Sequence, residues 1–478
     1  MDAVRQYLDI QAGEEAFVHA VLAVAVSKAL TEEEPLWAML VGAPSSGKSE
    51  AIRLVDELAD LRVDELTRAG LLSWGPGGRK AKRTGILTRI PQNALVTVSD
   101  FSTVVTASDR EGRARMYGML RVVYDGHVYR GIGGEPAADG DALEWSGHLT
   151  LIAAATPAID TAASFESALG ERWLTLRVPG SDAARAVQRA RYVVGRKDLA
   201  PHREAAQALT RELVLDARRR IPEQLPGSIV ERLVNLATFV AHARTGVQHE
   251  GTGRYRVILG VPTPEEPTRL VGQLSRFARC VIALGLQHDQ ALELATKIAL
   301  DSVPLARMRV LQAVVEAEET GATVAVAHRA LIRGNRWAAI WELDALEAIG
   351  LVTVEGTPRD EDPHAHRFYR LAEAYRKVCE NVGRPLIFSL ETKEEDGSDV
   401  GAVYVFAHPE NQTATRKTTS GSTRRRARRD LVSDPLDRKL EPDDAYRPED
   451  PAPEDVLTED ELIAFRRALE AGESEGRL

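Results

Sequence analysis

Apolar positions fall into two regimes along the chain. Up to about residue 180, short apolar runs alternate with helical patterns, and beyond it helical periodicity dominates. Val4, Leu8, Phe17, Val21, Leu22, Val24 and Val26 lean to one side amid alanine filler, which predicts one helix over 4–30, ended by Pro35. Leu36-Trp37-Ala38-Met39-Leu40-Val41 reads as a buried strand, and a Gly/Ser-rich loop and a helix over 50–61 follow it. The segment 66–72 leads into a Gly/Lys/Arg-rich loop at 75–85. A second apolar strand, 93–101, contains Ser99-Asp100-Phe101 at its end, and 108–123 is helical. A strand near 126–132, a Gly/Pro/Asp loop over 133–141 and a partner strand near 143–145 come next. The third core strand, 148–154, runs into Thr156-Pro157. Such alternation predicts an α/β sheet.

From 180 to 300 the pattern is helical, interrupted at 246–260 by a stretch that suits a short hairpin. Residues 304–373 read as three helices and two short strands, with Gly334-Asn335 turning the chain before Arg336–Ile349 and Gly350 ending that helix. Beyond about 385 the chain turns polar. Residues 408–456 are predicted to be disordered, and Thr458–Ala471 to be an isolated helix with Thr458 and Glu461 as a capping box. The expected division is therefore 1–180, 181–303, 304–380 and a tail over 381–478.

Composition narrows the class. Hydrophobic content of 44% with only 5% aromatics suits a soluble, largely helical protein. No stretch approaches the roughly 20 apolar residues of a membrane span, and no basic-then-apolar leader precedes the first helix. Cys280 and Cys379 are the only cysteines, too few for a disulfide framework or a zinc site, so a cytoplasmic protein without zinc is expected. The net charge of −10 is local: 16 acidic and 6 basic residues lie between Asp430 and Leu478, and the rest of the chain is neutral. Acidity of the whole therefore does not argue against nucleic-acid binding by the body.

The loop after the first strand is Gly42-Ala43-Pro44-Ser45-Ser46-Gly47-Lys48-Ser49, a complete phosphate-binding loop set between a strand and a helix. Its glycines allow backbone N–H groups to wrap a phosphate, Lys48 suits the β and γ phosphates of ATP, and Ser49 suits Mg²⁺. Asp100 is the strand-end acid. In one register it orders the metal; in the other it polarises the attacking water, and Ser99 stands where the metal acid would be. A strand-end aspartate that merely caps a turn is the plainer alternative.

In order and local pattern, residues 10–375 resemble the AAA+ ATPases that carry a hairpin before sensor 1, the group of the minichromosome-maintenance helicases. The motifs behind this are Asp100-Phe101, the helix and hairpin over Met116–Ile132, the strand Leu149–Pro157 and Gly170-Glu171-Arg172-Trp173-Leu174. Thr268-Arg269-Leu270 with Leu274, Arg276 and Ala278 completes the set. The resemblance implies an α/β P-loop AAA+ core, a helical lid and a C-terminal winged helix. It places Thr156 at the sensor position, Arg172 as an arginine finger supplied to a neighbour, and Arg269 as the sensor-2 arginine. A finger given in trans implies a ring, expected to be a hexamer. Arg172 as a helix-end cation and Arg269 as an ordinary ion-pair residue remain the plainer alternatives.

Residues 304–356 with Arg367–Leu371 then read as the winged helix. Arg329, Arg333, Arg336 and Arg367 are candidate DNA contacts, against Glu342, Asp344 and Glu347 on the third helix. A protein-docking or structural role for this part stays open. His127, Tyr129 and Arg130 on the hairpin, Lys80, Lys82 and Arg83, and the run Arg424–Arg429 are further basic candidates. The expected function is a DNA-associated motor, a helicase or replication-initiation ATPase of a phage or mobile element. An ATP-switched DNA-binding regulator or loader and a scaffold with a degenerate site are the alternatives.

Overall fold

The structure is a computed structural model. It describes residues 2–10, 14–74, 82–106, 109–131, 142–161, 172–180, 183–195, 199–251, 256–260, 262–317, 319–331, 335–357, 366–381, 389–390 and 404–405. The chain divides into two units, Met1–Ala407 and His408–Leu478. The expected disorder of 408–456, the helix Thr458–Ala471 and the basic run Arg424–Arg429 lie outside the described residues.

A five-stranded, fully parallel sheet organises the first unit. Its order is Leu61–Val63, Asn93–Val98, His148–Ala155, Trp37–Val41, Trp173–Arg177. The inner strands read as near-continuous apolar runs because both faces are covered. Ala38, Leu40, Leu95, Ile152, Ala154, Leu174 and Leu176 enter the core on one face. Trp37, Met39, Val41, Val96, Val98, Leu151, Ala153 and Trp173 enter the core on the other. The first of these cores continues without a break through the helices of 200–301 and into Leu311, Leu343, Leu346 and Tyr369.

Two expectations about elements are corrected. The N-terminal stretch is two helices, Asp2–Leu8 and Ala16–Ser27. The first stops because Asp9 takes φ 51° and Ile10 N–H donates back to Arg5 C=O at 3.2 Å, the geometry of a left-handed helix stop, here without glycine. The second is buried on nearly every side, and so is apolar almost all round. The helix after the phosphate-binding loop is short, Lys48–Arg53, and turns lead from it to the unpredicted strand Leu61–Val63. Asp60 pins that strand by accepting from Leu95 N–H at 2.7 Å and Lys28 Nζ at 2.6 Å.

The edge strand Trp173–Arg177 is covered by the helix His288–Asp301. Side chains from the end of that helix continue the hydrogen-bond ladder: Thr175 N–H donates to Ser302 Oγ at 3.0 Å and Arg177 N–H to Asp301 Oδ2 at 2.8 Å. Lys297 Nζ lies 2.7 Å from the same carboxylate oxygen, and the two side chains are 5% and 1% exposed.

Residues 304–381 form helices Leu305–Glu316, Val324–Ala330 and Arg336–Ala348, antiparallel strands Val352–Glu355 and Phe368–Leu371, and a helix Glu373–Asn381. Ala322 bridges to Tyr369, adding one more antiparallel pairing beside the strand pair. The short hairpin expected near 246–260 is His249–Glu250 against Val257–Ile258. No described helix is long and apolar enough to cross a membrane.

Candidate functional site

The parallel strands all deliver their loops to one end of the sheet, and the candidate phosphate site lies there. Gly42 N–H donates to Ala155 C=O at 3.2 Å and Val178 N–H to Val41 C=O at 2.7 Å, so three strand ends are fixed together at the start of the loop. A Cβ on Gly42 would stand 2.9 Å from Ser46 Oγ and 3.1 Å from Val178 Cβ, so a side chain there would have to push both neighbours aside. Ser45 and Gly47 take φ of 62° and 90°, turning the backbone left-handed just before the helix that starts at Lys48. Ala43, Pro44 and Ser45 are exposed, as is Ser49 at the helix start, while Lys48 is 8% exposed.

The Lys48 ammonium is folded into the loop. It donates to Gly42 C=O and Ala43 C=O at 2.7 Å each and to Ser46 Oγ at 3.3 Å. Burial pushes it below its ordinary pKa, and the carboxylate of Asp100 pulls it back up. Loop lysine and strand-end acid therefore share one electrostatic field. A buried cation against carbonyl dipoles, with a hydroxyl at Ser49 and an exposed acid at Asp100, is a donor set for a polyphosphate with its divalent cation. Among the described residues no group of three or more His, Cys, Asp or Glu gathers to hold a metal by itself.

Asp100 and Thr156 end strands that lie side by side, and Ser102 joins them. Ser102 N–H donates to Asp100 Oδ1 at 2.8 Å, while Thr156 N–H donates to Ser102 Oγ at 2.8 Å and Thr156 Oγ1 does so at 3.1 Å. Ser99 donates from its hydroxyl to Asp64 Oδ1 at 2.9 Å. Asp64 follows the strand that the sequence pattern missed, so a second exposed carboxylate borders the site. Neither Ser102 nor Asp64 belongs to a motif, and only the pairing of the strands brings them in.

Arg172 and Arg269 are placed elsewhere. Arg172 immediately precedes Trp173, which pairs with Trp37 at the amino end of the sheet, opposite the loop. Its guanidinium is buried, 3.3 Å from Asp125 Oδ1 and 5.6 Å from the centre of the Tyr124 ring. Gln273, one turn after Arg269 on the helix Thr268–Ala283, donates to Arg172 C=O at 3.0 Å and to Tyr124 Oη at 3.1 Å. Burial raises the Tyr124 pKa, and Arg269 and Arg276 both act against that rise. The chain thus gathers its nominated arginines with each other at the amino end, away from its own phosphate loop.

The hairpin His127–Gly131 with Ala142–Ser146 also springs from the amino end, where Gly147 N–H donates to Gly126 C=O at 3.0 Å. Tyr129 and Arg130 are exposed on it, Tyr129 by 67%, and His127 is exposed at its base. Arg83 Nη1 donates to Glu144 C=O at 3.2 Å and so ties the basic loop to the hairpin. Lys82 is exposed, and Lys80 lies outside the described residues.

In the C-terminal part Arg329 and Arg336 are exposed at facing helix ends, and Arg333 lies outside the described residues. Arg367 is buried and donates from Nε to Thr357 C=O at 2.6 Å, which makes it a brace between the two strands. Glu342 is 3.0 Å from Arg307, which also donates to Ala243 C=O and Thr245 C=O, so that acid is turned into the protein. Trp341 is covered by Arg256, 4.5 Å from its ring centre.

No protein-family model matches the chain, and no curated protein matches it. Among solved structures, the Aeropyrum pernix ORC1 protein in complex with DNA is similar at 15% identity and a TM-score of 0.22. That match covers 79% of this chain and 93% of that one. The SCCmec type IV Cch, an active helicase, is similar at 11% identity and a TM-score of 0.29, covering 80% of this chain and 71% of that one. Likeness at these scores carries no weight for function.

Proposed function

We propose that the chain is an ATP-hydrolysing, DNA-associated protein of the AAA+ type. The observation that carries this reading is Lys48, buried in a glycine-shaped loop at the carboxyl end of a parallel sheet and within the field of Asp100. Its three donors, now on loop oxygens, would turn to the β and γ phosphates. Ser49 and Asp100 would hold Mg²⁺, which takes one or two protein ligands and supplies charge neutralisation at the phosphates. Thr156 would meet the γ-phosphate or the attacking water.

Arg172 and Arg269 fit a role given to a second copy, because they sit far from their own loop. A closed ring, six-membered by the family resemblance, would bring the amino end of one sheet toward the loop of the next. Arg172 would then have to leave Asp125. The three helices, the bridge at Ala322 and the antiparallel pair support a winged helix over 304–380, with Arg329, Arg333 and Arg336 toward DNA. The inward turn of Glu342 removes one of the charges that would repel phosphates. Arg130 on the hairpin is the further DNA candidate.

The test is ATP turnover with and without single- and double-stranded DNA, with mass by light scattering in ATP. Stimulation by DNA and assembly in ATP are expected. A ring-sized protein that neither responds to DNA nor separates strands would sink the motor reading. One observation favours an ATP-switched regulator or loader with slow turnover: Ser99, the residue beside Asp100, is a hydroxyl engaged by Asp64 rather than a second acid. ATP-dependent DNA affinity with slow hydrolysis would select that reading.

A further inference from the structure

Ser102 is buried at the start of the helix Ser102–Thr106, and its polar groups are spent on the two strand-end residues beside the loop. Its N–H fixes Asp100 Oδ1 at 2.8 Å, and its Oγ receives Thr156 N–H at 2.8 Å and Thr156 Oγ1 at 3.1 Å. Its own C=O accepts from Thr106 Oγ1 at 2.9 Å, which holds the first turn of the helix in place. Asp100 and Thr156 lie on adjacent strands, so one serine ties the strand-end acid and the threonine into a single unit.

From these contacts we infer that Ser102 is a positioning residue of the phosphate site, acting through Thr156 and Asp100. The inference rests on the reading of the loop as an ATP site. A threonine hydroxyl has one proton and two lone pairs. While that proton points at Ser102 Oγ, Thr156 offers only lone pairs elsewhere, and these repel phosphate oxygens. Turning the proton toward a phosphate oxygen or the attacking water forfeits the bond to Ser102. Ser102 has a proton of its own and can donate it back into Thr156 Oγ1. Thr156 N–H holds the serine oxygen in place throughout, so the exchange needs only two hydroxyl rotations. The bond from Ser102 N–H meanwhile resists rotation of the Asp100 carboxylate away from its place. Alanine at 102 removes the exchange but leaves the backbone bond to Asp100.

The experiment uses the full chain with Mg²⁺ and compares wild type, Ser102→Ala, Ser102→Cys, Ser102→Thr, Thr156→Ala and the double variant Ser102→Ala/Thr156→Ala. Turnover and the dissociation constant of a fluorescent ATP analogue are measured for each, with a thermal melt as a check on folding. Ser102→Ala and Ser102→Cys should each lower kcat about tenfold, the equivalent of one hydrogen bond in the transition state, with analogue binding changed by less than about twofold. Ser102→Thr, which restores a hydroxyl, should recover most of the rate. The double variant should be no slower than Thr156→Ala by more than about twofold, because the two residues act as one unit. A purely structural serine would instead shift the melt and the binding together. Wild-type turnover in the Cys variant, or losses at 102 and 156 that multiply, would overturn the inference while leaving ATP binding intact. A wild-type chain that binds no nucleotide would remove the reading of the loop beneath it, and one that binds without turnover would remove the inference and the hydrolytic part of the proposed function while leaving the loop as a nucleotide site.

Discussion

Replacing Asp301 by asparagine should destabilise the sheet by about 3–5 kcal/mol, the range for breaking a buried ion pair from one side. The size follows from three features. Asp301 and Lys297 are 1% and 5% exposed and 2.7 Å apart on successive turns of one helix, so neither charge is paired with water. With the carboxylate charge gone, the Lys297 ammonium faces neutral dipoles, the asparagine oxygen and the Arg177 carbonyl at 3.4 Å among them, in place of an anion. The asparagine oxygen can still accept from Arg177 N–H, so the ladder bond at the edge strand survives and adds no further loss. Lys297→Met leaves a buried carboxylate that retains the Arg177 N–H, and should fall near the lower end of the same range, about 3 kcal/mol. The double variant Lys297→Met/Asp301→Asn removes both charges at similar volume, and should lie within about 1 kcal/mol of wild type. Ser302→Ala is the neutral comparator: it deletes one uncharged bond to Thr175 N–H and should cost about 1 kcal/mol. Urea titration followed by tryptophan emission measures all four, with Trp37 and Trp173 buried in the sheet as reporters. Asp301→Asn and Lys297→Met each within about 1 kcal/mol of wild type, or a double variant equal to the sum of those two, would refute the reasoning from desolvation.

Lys48→Ala should weaken nucleotide binding about 10- to 100-fold, since bonds to a charged group contribute about 1.5–3 kcal/mol, and an unchanged dissociation constant would count against the loop as a phosphate site. Gly42→Ala should cost about 1–3 kcal/mol by pressing on Ser46 and Val178, and should loosen ATP binding while the far-ultraviolet spectrum stays native. Tyr7 donates to Glu50 and accepts from Arg203 Nε at 2.8 Å, and burial, followed by the bond to Glu50, raises its pKa from 10.0 to about 12. The stability this adds is fully present below pH 10 and is lost as pH rises through about 12, so wild type and Tyr7→Phe should converge as melts move from about pH 8 to about pH 11. A gap that widens with pH would contradict the assignment. Reversing charge at Arg329 and Arg336 should lower DNA affinity and reduce the salt slope by about 1 for each phosphate no longer neutralised, read by fluorescence anisotropy across salt concentrations. An unchanged slope would direct attention to the hairpin instead.

The sequence by itself determined the inner strands and the phosphate loop. Strands such as Asn93–Val98 and His148–Ala155 are buried on both faces, so they read as near-continuous apolar runs, with Thr97 and Thr150 as buried interruptions. The loop is as local: Gly42 stands where a Cβ would press on Val178 and Gly47 where φ is positive, and both lie within one short stretch of sequence. Local signals fail where the stabilising partner is distant. Leu61–Val63 is half-exposed and three residues long, and it becomes a strand only because Asp60 and the neighbouring strand hold it. The helix break at Asp9 carries no glycine to announce it. The phosphate site divides in the same way. Lys48 and Ser49 are set by position in a motif, but Ser99 reaches Asp64, and Ser102 reaches Thr156, only because parallel strands from distant parts of the chain end side by side. Arg172 and Arg269 could be named from their motifs, yet only the tertiary structure put them together at the opposite end of the sheet. Side-chain periodicity and backbone sterics act over a few residues, whereas the order in which strands enter a sheet is decided by packing across the whole unit.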